Sequence, residues 1–304
     1  MKKFFIGVAI FFSIIFFVDV IYGYTCQTLI GNAKGGDYKL HTYINNEMKS
    51  DVLFMGSSRC MHHYVPDIFE DSLNMSCYNC GTDGMGIPFM YGRYKMITSR
   101  YKPKYIIYDV YLVYDLFVSK EFPNTRNLKW LKPFYDREGI DSIFWNIEET
   151  QKYKMMSNMY RYNSDLFRFV SDCVKPGRAY KKGYRPLFGE ISPEYKRGED
   201  SKKKPVVDSL KLYYWEKFIS DTKKDGVNLV LIFSPFWGST SIDSYGTIIY
   251  LAKKYNIPII NHYNDRDYIW RRDIFQEPFH LNDKGAKEYS KEVAAELVDL
   301  LKDV

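Results

Sequence analysis

Short apolar runs alternate with segments of helical periodicity from about residue 52 to the carboxyl end. The apolar runs are VLFM (52–55), MSCYNCG (75–81), KYIIYDVYLVY (104–114), VNLVLIFSPF (227–236) and IPIINHY (257–263). Between and after them, stretches such as residues 206–226 and 284–304 carry apolar residues at helical spacing. Strands separated by helices of this length favour βαβ units. The pattern predicts an α/β fold with a mostly parallel sheet and helices on both faces.

The alternation stops between about residues 115 and 205. This stretch contains FPNTRNLKWLKPFYDREG, then polar and aromatic helical segments, then the mixed-charge run EYKRGEDSKKKP. We expect a helical insertion that lies over the carboxyl ends of the strands and shapes a substrate site. The alternative is a separate small helical subdomain with no role in binding.

The amino-terminal segment combines two lysines with a long apolar run. Lys2 and Lys3 precede FFIGVAIFFSIIFFV, which ends at Asp19. Such a segment is typical of a secretory signal or a short signal anchor. The following DVIYGYTC has no small residues in the Ala-x-Ala-like arrangement of a cleavage site, and the apolar residues leave no polar helix face. We therefore expect a single-pass anchor in the cytoplasmic membrane over residues 1–24, with residues 25–304 as an exported domain.

Composition excludes some classes of protein and leaves others open. With 46% hydrophobic and 26% charged residues, the chain is not a disordered one. The net charge of +6 is spread along the chain without a clustered basic face, so no nucleic-acid partner is predicted. The 28 Tyr and 21 Phe suit stacking against sugar rings, although biased codon usage accounts for them equally well.

No cofactor or metal is predicted. The chain has no Gly-x-Gly-x-x-Gly after a strand and no phosphate-binding Gly-Lys-Ser/Thr, and an exported domain has little access to nucleotide cofactors. Cys77 and Cys80 have the spacing of half a metal site or of a redox pair, but no second pair follows at zinc-ribbon spacing. We interpret them as small residues on and after a buried strand.

Three polar segments lie at the ends of predicted strands or before the last helix: GSSR (56–59), NCGTDG (79–84) and EPFH (277–280). Ligands of open parallel sheets gather at the carboxyl ends of the strands. A serine hydroxyl becomes a nucleophile when an imidazole takes its proton and a carboxylate orients that imidazole. Ser58, His280 and Glu277 could fill these three roles, with glycine-flanked backbone N–H groups facing a developing oxyanion.

The segments VLFMGSSRCMHHY, NCGTDGMG and EPFHLNDKGAKEYS resemble the SGNH/GDSL hydrolase superfamily. More closely, they resemble its membrane-anchored, exported bacterial members, which remove or transfer acyl groups on cell-envelope polysaccharides. The resemblance covers about residues 50–114 and 206–304. It implies a flavodoxin-like three-layer α/β/α sandwich, Ser58 as nucleophile, and Glu277 with His280 in the place of the usual Asp-x-x-His. It also implies an oxyanion hole formed by Ser58 and Gly84.

One element of the family pattern is missing, because no Asn occurs between Tyr105 and Lys120 to complete the oxyanion hole from the third strand. Arg59, His62 and Asn79 are assigned to substrate binding. For Arg59, an ion pair with the first helix is the alternative to binding an anionic sugar substituent. His62 and its neighbour His63 are expected to point away from the Ser58 hydroxyl.

Two functions follow from these assignments. The first is an exported serine-dependent acyl esterase or O-acyltransferase that acts on a carbohydrate or acylated glycan, and the sequence does not separate hydrolysis from transfer. The second is a non-catalytic binding or assembly component of a polysaccharide-modifying machine. The distance between Ser58 and His280 distinguishes the two functions.

Overall fold

A computed structural model describes residues 1–163, 165–174, 181–195 and 205–302. The chain divides into two units, each of which is compact by itself. The helical unit comprises Met1–Met48 and Leu128–Ala179, and the α/β unit comprises Lys49–Asn127 and Tyr180–Val304.

Five parallel strands form the sheet of the α/β unit. They are β1 (Val52–Gly56), β2 (Cys77–Asn79), β3 (Tyr105–Asp109), β4 (Asn228–Phe233) and β5 (Ile259–Asn261). Their order is β2-β1-β3-β4-β5, which is the flavodoxin-like order. The register places Gly56 opposite Asp109, so the carboxyl ends of β1 and β3 meet at one edge. The predicted α/β fold with a parallel sheet is confirmed.

Helices cover both faces of this sheet. Those of the α/β unit are α3 (Ser58–His63), α4 (Pro66–Leu73), α5 (Ile87–Thr98), α6 (Leu112–Asp115), α11 (Ser209–Lys224), α12 (Gly246–Tyr255) and α13 (Asp283–Lys302). Alternate strand residues face opposite layers. Phe54 packs against Phe69 of α4 at 4.4 Å between ring centroids, whereas Tyr108 packs against Trp215 of α11 at 4.8 Å. Burial of large aromatic groups on both faces stabilises the three layers.

A short antiparallel hairpin precedes α13. Its strands are β6 (Phe275–Glu277) and β7 (His280–Leu281), and Glu277 pairs with His280. Strand β7 contacts α3, the helix that begins at Ser58. The hairpin therefore brings a segment near the carboxyl end to the edge of the sheet where β1 ends.

The helical unit contains α1 (Lys2–Gly31), α2 (Gly36–Asn46), α7 (Asp141–Ile147), α8 (Gln151–Lys154), α9 (Asn158–Arg161) and α10 (Leu166–Val174). Helix α1 is long and apolar enough to cross a membrane, judged by length and composition. It continues beyond the anchor boundary predicted at residue 24. Within α1, the Asp19 carboxylate accepts hydrogen bonds from the backbone N–H groups of Asn158 (2.9 Å) and Met159 (2.8 Å).

The predicted insertion is divided between the units. Leu128–Ala179 belongs to the helical unit, while the segment up to Asn127 and the segment from Tyr180 onward belong to the α/β unit. Short 3-10 helices occur at Asn124–Leu128 and Lys132–Phe134, and later in the chain at Asp243–Tyr245 and Arg272–Ile274.

A buried polar network lies under the carboxyl ends of β1, β3 and β4. Arg59 has no exposed surface, and its guanidinium donates to Ser234 Oγ (2.7 Å from Nη2) and to the backbone oxygens of Ser234 and Pro235. Asp109 accepts from Ser234 Oγ (2.7 Å) and from the Tyr64 hydroxyl (3.0 Å). Burial raises the pKa of the Asp109 carboxyl, and the nearby Arg59 charge acts in the opposite direction. The interpretation of Arg59 as a substrate-binding residue is therefore wrong, because its side chain is enclosed and bonded to the protein.

We expect Asp109→Asn to lower the free energy of unfolding by about 3 kcal/mol, because it leaves the buried Arg59 charge uncompensated. Urea unfolding of the detergent-solubilised full chain at pH 7 would measure this loss. Asp71→Asn, at an exposed position, serves as the matched control and should change little. Equal unfolding midpoints for both variants would contradict the proposed charge compensation.

Candidate active site

Ser58 begins α3 directly after the turn that ends β1. Gly56 in this turn has φ +143, and a Cβ there would collide with the backbone oxygen of Asp109. Only glycine allows the chain to turn so close to β3. Ser58 is nearly buried, at 6% exposure, and as the first residue of a helix its N–H has no intrahelical acceptor.

His280 reaches Ser58 from the β6–β7 hairpin. Its Nε2 lies 2.7 Å from Ser58 Oγ, although the two residues are 222 positions apart in the chain. Its Nδ1 lies 2.6 Å from Glu277 Oε1. Because a carboxylate only accepts, Nδ1 carries the proton and Nε2 accepts from the Ser58 hydroxyl. The structure thus brings Ser58, His280 and Glu277 into the geometry of a catalytic triad.

The protonation state of His280 suits a general base. Burial lowers the pKa of His280 below its ordinary value of 6.5, while the hydrogen bond with Glu277 raises it and partly offsets this effect. The imidazole is therefore neutral at pH 7 and able to take a proton from Ser58. The Glu277 charge can then stabilise the imidazolium that forms.

Ser58 opens into a cavity of about 300 Å³, which we call the Ser58 cavity. Its lining consists of Ser58, His62, Asp83, Gly84, Tyr114, Arg126, Arg185, Leu187, Gln276, Glu277 and His280. Gly84 has φ +69 and lies in this lining, which is where a glycine of the oxyanion hole is expected. Its role, and that of the Ser58 backbone N–H, stay predictions.

The two adjacent histidines of α3 have different surroundings. His62 lines the Ser58 cavity, and its nitrogens lie 2.7 Å from the Arg185 backbone oxygen and 3.1 Å from Asp83 Oδ1. His63 is fully buried, and its Nε2 accepts the Leu281 backbone N–H at 3.0 Å. Both side chains are thus hydrogen-bonded to groups other than the Ser58 hydroxyl.

Asn79 does not face a substrate site. It is 1% exposed, and its amide nitrogen donates to the backbone oxygens of Cys60 (2.7 Å) and Tyr64 (2.9 Å). Its Oδ1 accepts the Gly81 backbone N–H at 2.9 Å. The assignment of Asn79 to substrate binding is wrong, because these bonds use the side chain to hold the loop after β2 against α3.

Sequence reasoning missed several residues that surround Ser58. Arg126, Tyr114 and Arg185 line the Ser58 cavity, and His63 ties α3 to the hairpin. No local motif marks them, since each acts through partners distant in the chain. His63 could have been singled out only by its place next to His62 in a short helix.

A second, larger cleft lies beside the Ser58 cavity. It has a volume of about 680 Å³ and shares Gln276 and Glu277 with that cavity. Six of its lining residues are aromatic: Tyr111, Tyr195, Phe236, Trp237, Tyr263 and Phe279. We call this the aromatic cleft.

One cluster has the composition of a metal site. Ligand atoms of His262, Glu292 and Glu296 lie within 4.8 Å of one another. His262 Nδ1 lies 3.1 Å from Asp265, its Nε2 lies 3.2 Å from Glu296, and Glu292 accepts from the Tyr268 hydroxyl. These groups satisfy one another through hydrogen bonds, and no metal is assigned. Cys77 and Cys80 are buried free thiols, and burial raises the pKa of each to about 12.

The chain is similar in structure to three solved proteins. A protein from Desulfitobacterium hafniense DCB-2, provisionally described as lipolytic and of the G-D-S-L family, has 10% identity and a TM-score of 0.41, over 80% of this chain and 97% of its own. A protein from Bacteroides fragilis NCTC 9343, provisionally described as an acylhydrolase, has 10% identity and a TM-score of 0.43, over 87% of this chain and 97% of its own. A protein from Streptococcus pneumoniae, provisionally described as platelet activating factor, has 11% identity and a TM-score of 0.40, over 95% of this chain and 99% of its own.

No protein-family model and no curated protein sequence matches the chain. The G-D-S-L family is named in the first of these three descriptions. Identities of 10–11% transfer no activity, so the chemistry rests on the side-chain geometry.

We expect Glu277→Gln to lower the pKa of His280 further, because the hydrogen bond and charge of Glu277 raise it. NMR titration of the imidazole C–H signal, assigned by its loss in His280→Gln, would measure the pKa. Glu190→Gln, which removes an exposed carboxylate outside the Ser58 cavity, should leave it unchanged. An unchanged or higher His280 pKa in Glu277→Gln would contradict the pairing.

Proposed function

We propose that this chain is a serine-dependent acyl esterase or O-acyltransferase that acts on carbohydrate outside the cytoplasmic membrane. One observation carries the proposal: Ser58 Oγ, the His280 ring and Glu277 Oε1 form a continuous hydrogen-bonded chain with lengths of 2.7 and 2.6 Å. Nucleophile, base and orienting carboxylate are then in place without a cofactor.

The proposed reaction has two half-reactions. Ser58 Oγ attacks the ester carbonyl carbon while His280 Nε2 takes its proton, and the oxyanion faces the backbone N–H groups of Ser58 and Gly84. His280 returns the proton to the leaving alkoxide, which departs as an alcohol and leaves acyl-Ser58. Water or a sugar hydroxyl then gives its proton to His280 and attacks the acyl carbon. His280 returns this proton to Ser58 Oγ as the bond to the acyl group breaks, which releases the acid or the new ester.

The aromatic cleft supports a carbohydrate substrate. Aromatic rings cover the apolar C–H face of a sugar ring, and tyrosine adds a hydroxyl for hydrogen bonding. The cleft adjoins the triad through Glu277, so a glycan bound there could present an ester or a hydroxyl to Ser58. The polar side chains Ser192 and Gln276 add hydrogen-bonding groups to the lining.

Helix α1 supports attachment to a membrane. Apolar side chains from Phe4 to Val18 are largely exposed within this helix, as lipid contact requires. Lys2 and Lys3 at its start favour a cytoplasmic amino terminus and an exported α/β unit.

A non-catalytic binding component is the other function suggested by the sequence. It would tolerate a packed side chain between Ser58 and His280, because no proton passes between them. The 2.7 Å contact favours the enzyme.

We expect Ser58→Ala to reduce ester hydrolysis by roughly 10⁴-fold or more, because no other group replaces the nucleophile. The assay is release of 4-nitrophenol from 4-nitrophenyl acetate, together with acyl loss from acetylated glycans. Ser57→Ala is a matched control, since the Ser57 hydroxyl is buried without a hydrogen-bond partner and its removal should be tolerated. Hydrolysis that survives Ser58→Ala would exclude the proposed mechanism.

We expect Tyr195→Ala to raise the KM for an acylated glycan by about tenfold while leaving 4-nitrophenyl acetate hydrolysis unchanged, because one stacking surface is lost. Tyr195 is 40% exposed and lines the aromatic cleft, so the fold should tolerate the change. Tyr250→Ala, at 65% exposure and outside the cleft, is the control. An unchanged glycan KM would argue against the cleft as a glycan site.

A further inference from the structure

Arg126 lies in the lining of the Ser58 cavity, on the 3-10 helix Asn124–Leu128. Its guanidinium packs directly on Gly84, where a Cβ would collide with it. The positive φ of Gly84, +69, favours glycine at this position. An exposed arginine at this place faces the space next to the Ser58 hydroxyl.

Uncharged contacts hold Arg126 in position. Its guanidinium lies over the Phe122 ring at 5.1 Å from the centroid, and Phe122 packs edge-on against Tyr114 at 4.9 Å. The neighbouring Asn127 accepts the Gly86 backbone N–H at 2.8 Å, which ties this short helix to the loop that contains Gly84. The contacts that hold Arg126 in position therefore use none of the N–H donors of its guanidinium.

The other Arg, His, Asp and Glu side chains of the lining have hydrogen-bond partners, and the neutral His280 imidazole leaves the Glu277 charge in place. Arg185 lies 3.1 Å from Asp83, and Glu277 lies 2.6 Å from His280. Within the described residues, Arg126 has neither an ion pair nor a hydrogen-bond acceptor. Of the two guanidinium groups in the lining, Arg126 is therefore the one without a carboxylate partner among the described residues.

We propose that Arg126 binds a carboxylate or phosphate group that the substrate carries close to the ester. A guanidinium offers paired donors that match either anion, and its flat face stays against Phe122 while its edge binds. This inference rests on the proposed function and narrows the substrate to anionic acylated glycans. Arg126 would select the substrate and not take part in the proton transfers.

The test compares esters that differ only in one negative charge. One pair is acetylsalicylate and its methyl ester, with the charge on the leaving group. The other is mono(4-nitrophenyl) succinate and its methyl ester, with the charge on the acyl group. The detergent-solubilised full chain should prefer the anionic member of at least one pair, and salt should weaken this preference.

We expect Arg126→Gln to reduce the anionic-to-neutral ratio of kcat/KM by about tenfold, mainly through KM. Arg126→Lys should keep part of the preference, and neutral-ester rates should change less than about twofold. Arg266→Gln, which removes an exposed arginine outside the Ser58 cavity, is the matched control.

Equal losses on anionic and neutral esters would overturn the inference and place Arg126 at the oxyanion instead. An unchanged ratio would also overturn it. Calorimetric binding of the anionic esters to Ser58→Ala and to Ser58→Ala/Arg126→Gln gives a readout without turnover, and equal Kd values there would refute the inference. Absence of any Ser58-dependent hydrolysis, with binding still dependent on Arg126, would refute only the proposed function.

Discussion

The hydrogen bond from the Leu281 backbone N–H to His63 Nε2 sets the distance between Ser58 and His280. Ser58 and His63 are the two ends of α3, and Leu281 directly follows His280. Burial keeps the pKa of His63 well below its ordinary range, so the imidazole is neutral and Nε2 is free to accept. Its Nδ1 can then donate to Ser234 Oγ at 3.1 Å, which joins the hairpin to the buried network of Arg59 and Asp109. The triad thus depends on a buried polar network under the sheet edge.

Most of the sheet could be predicted because buried parallel strands are short apolar runs between helices. The residues at which strands and helices begin and end were harder to predict from the sequence. The run 75–81 yields only Cys77–Asn79 as a strand, which pairs with Val52–Phe54 of β1. Helix α1 continues to Gly31, past the predicted boundary at residue 24, and its Asp19 carboxylate binds the start of α9, about 140 positions away. Hydrophobic periodicity carries no information on such a partner.

The triad could be predicted because its residues lie in motifs at strand ends, whereas the surrounding polar residues could not. Arg59 follows the nucleophile and was expected to be accessible, but its acceptor Ser234 is 175 residues away. Asn79 was expected to face a ligand, but its side chain bonds to the backbone of Cys60, Tyr64 and Gly81. Arg126 lies in the stretch from about residue 115 to 205, where strands and helices do not alternate. Hydrophobic periodicity there did not predict its position near Ser58. Burial and partner choice are tertiary properties, which local sequence does not encode.

The β6–β7 hairpin connects the aromatic cleft to the Ser58–His280–Glu277 triad. Its turn carries Phe279, whose ring lies 4.8 Å from the His280 ring and 6.4 Å from Tyr111 in the aromatic cleft. The Trp237 backbone N–H donates to the Pro278 oxygen at 2.8 Å, so the cleft wall and the turn are joined. A ligand that packs on Phe279 in the cleft therefore presses on the segment that holds Glu277 and His280. Since an orienting carboxylate acts through geometry, occupancy of the cleft should restrict the imidazole to the position that faces Ser58.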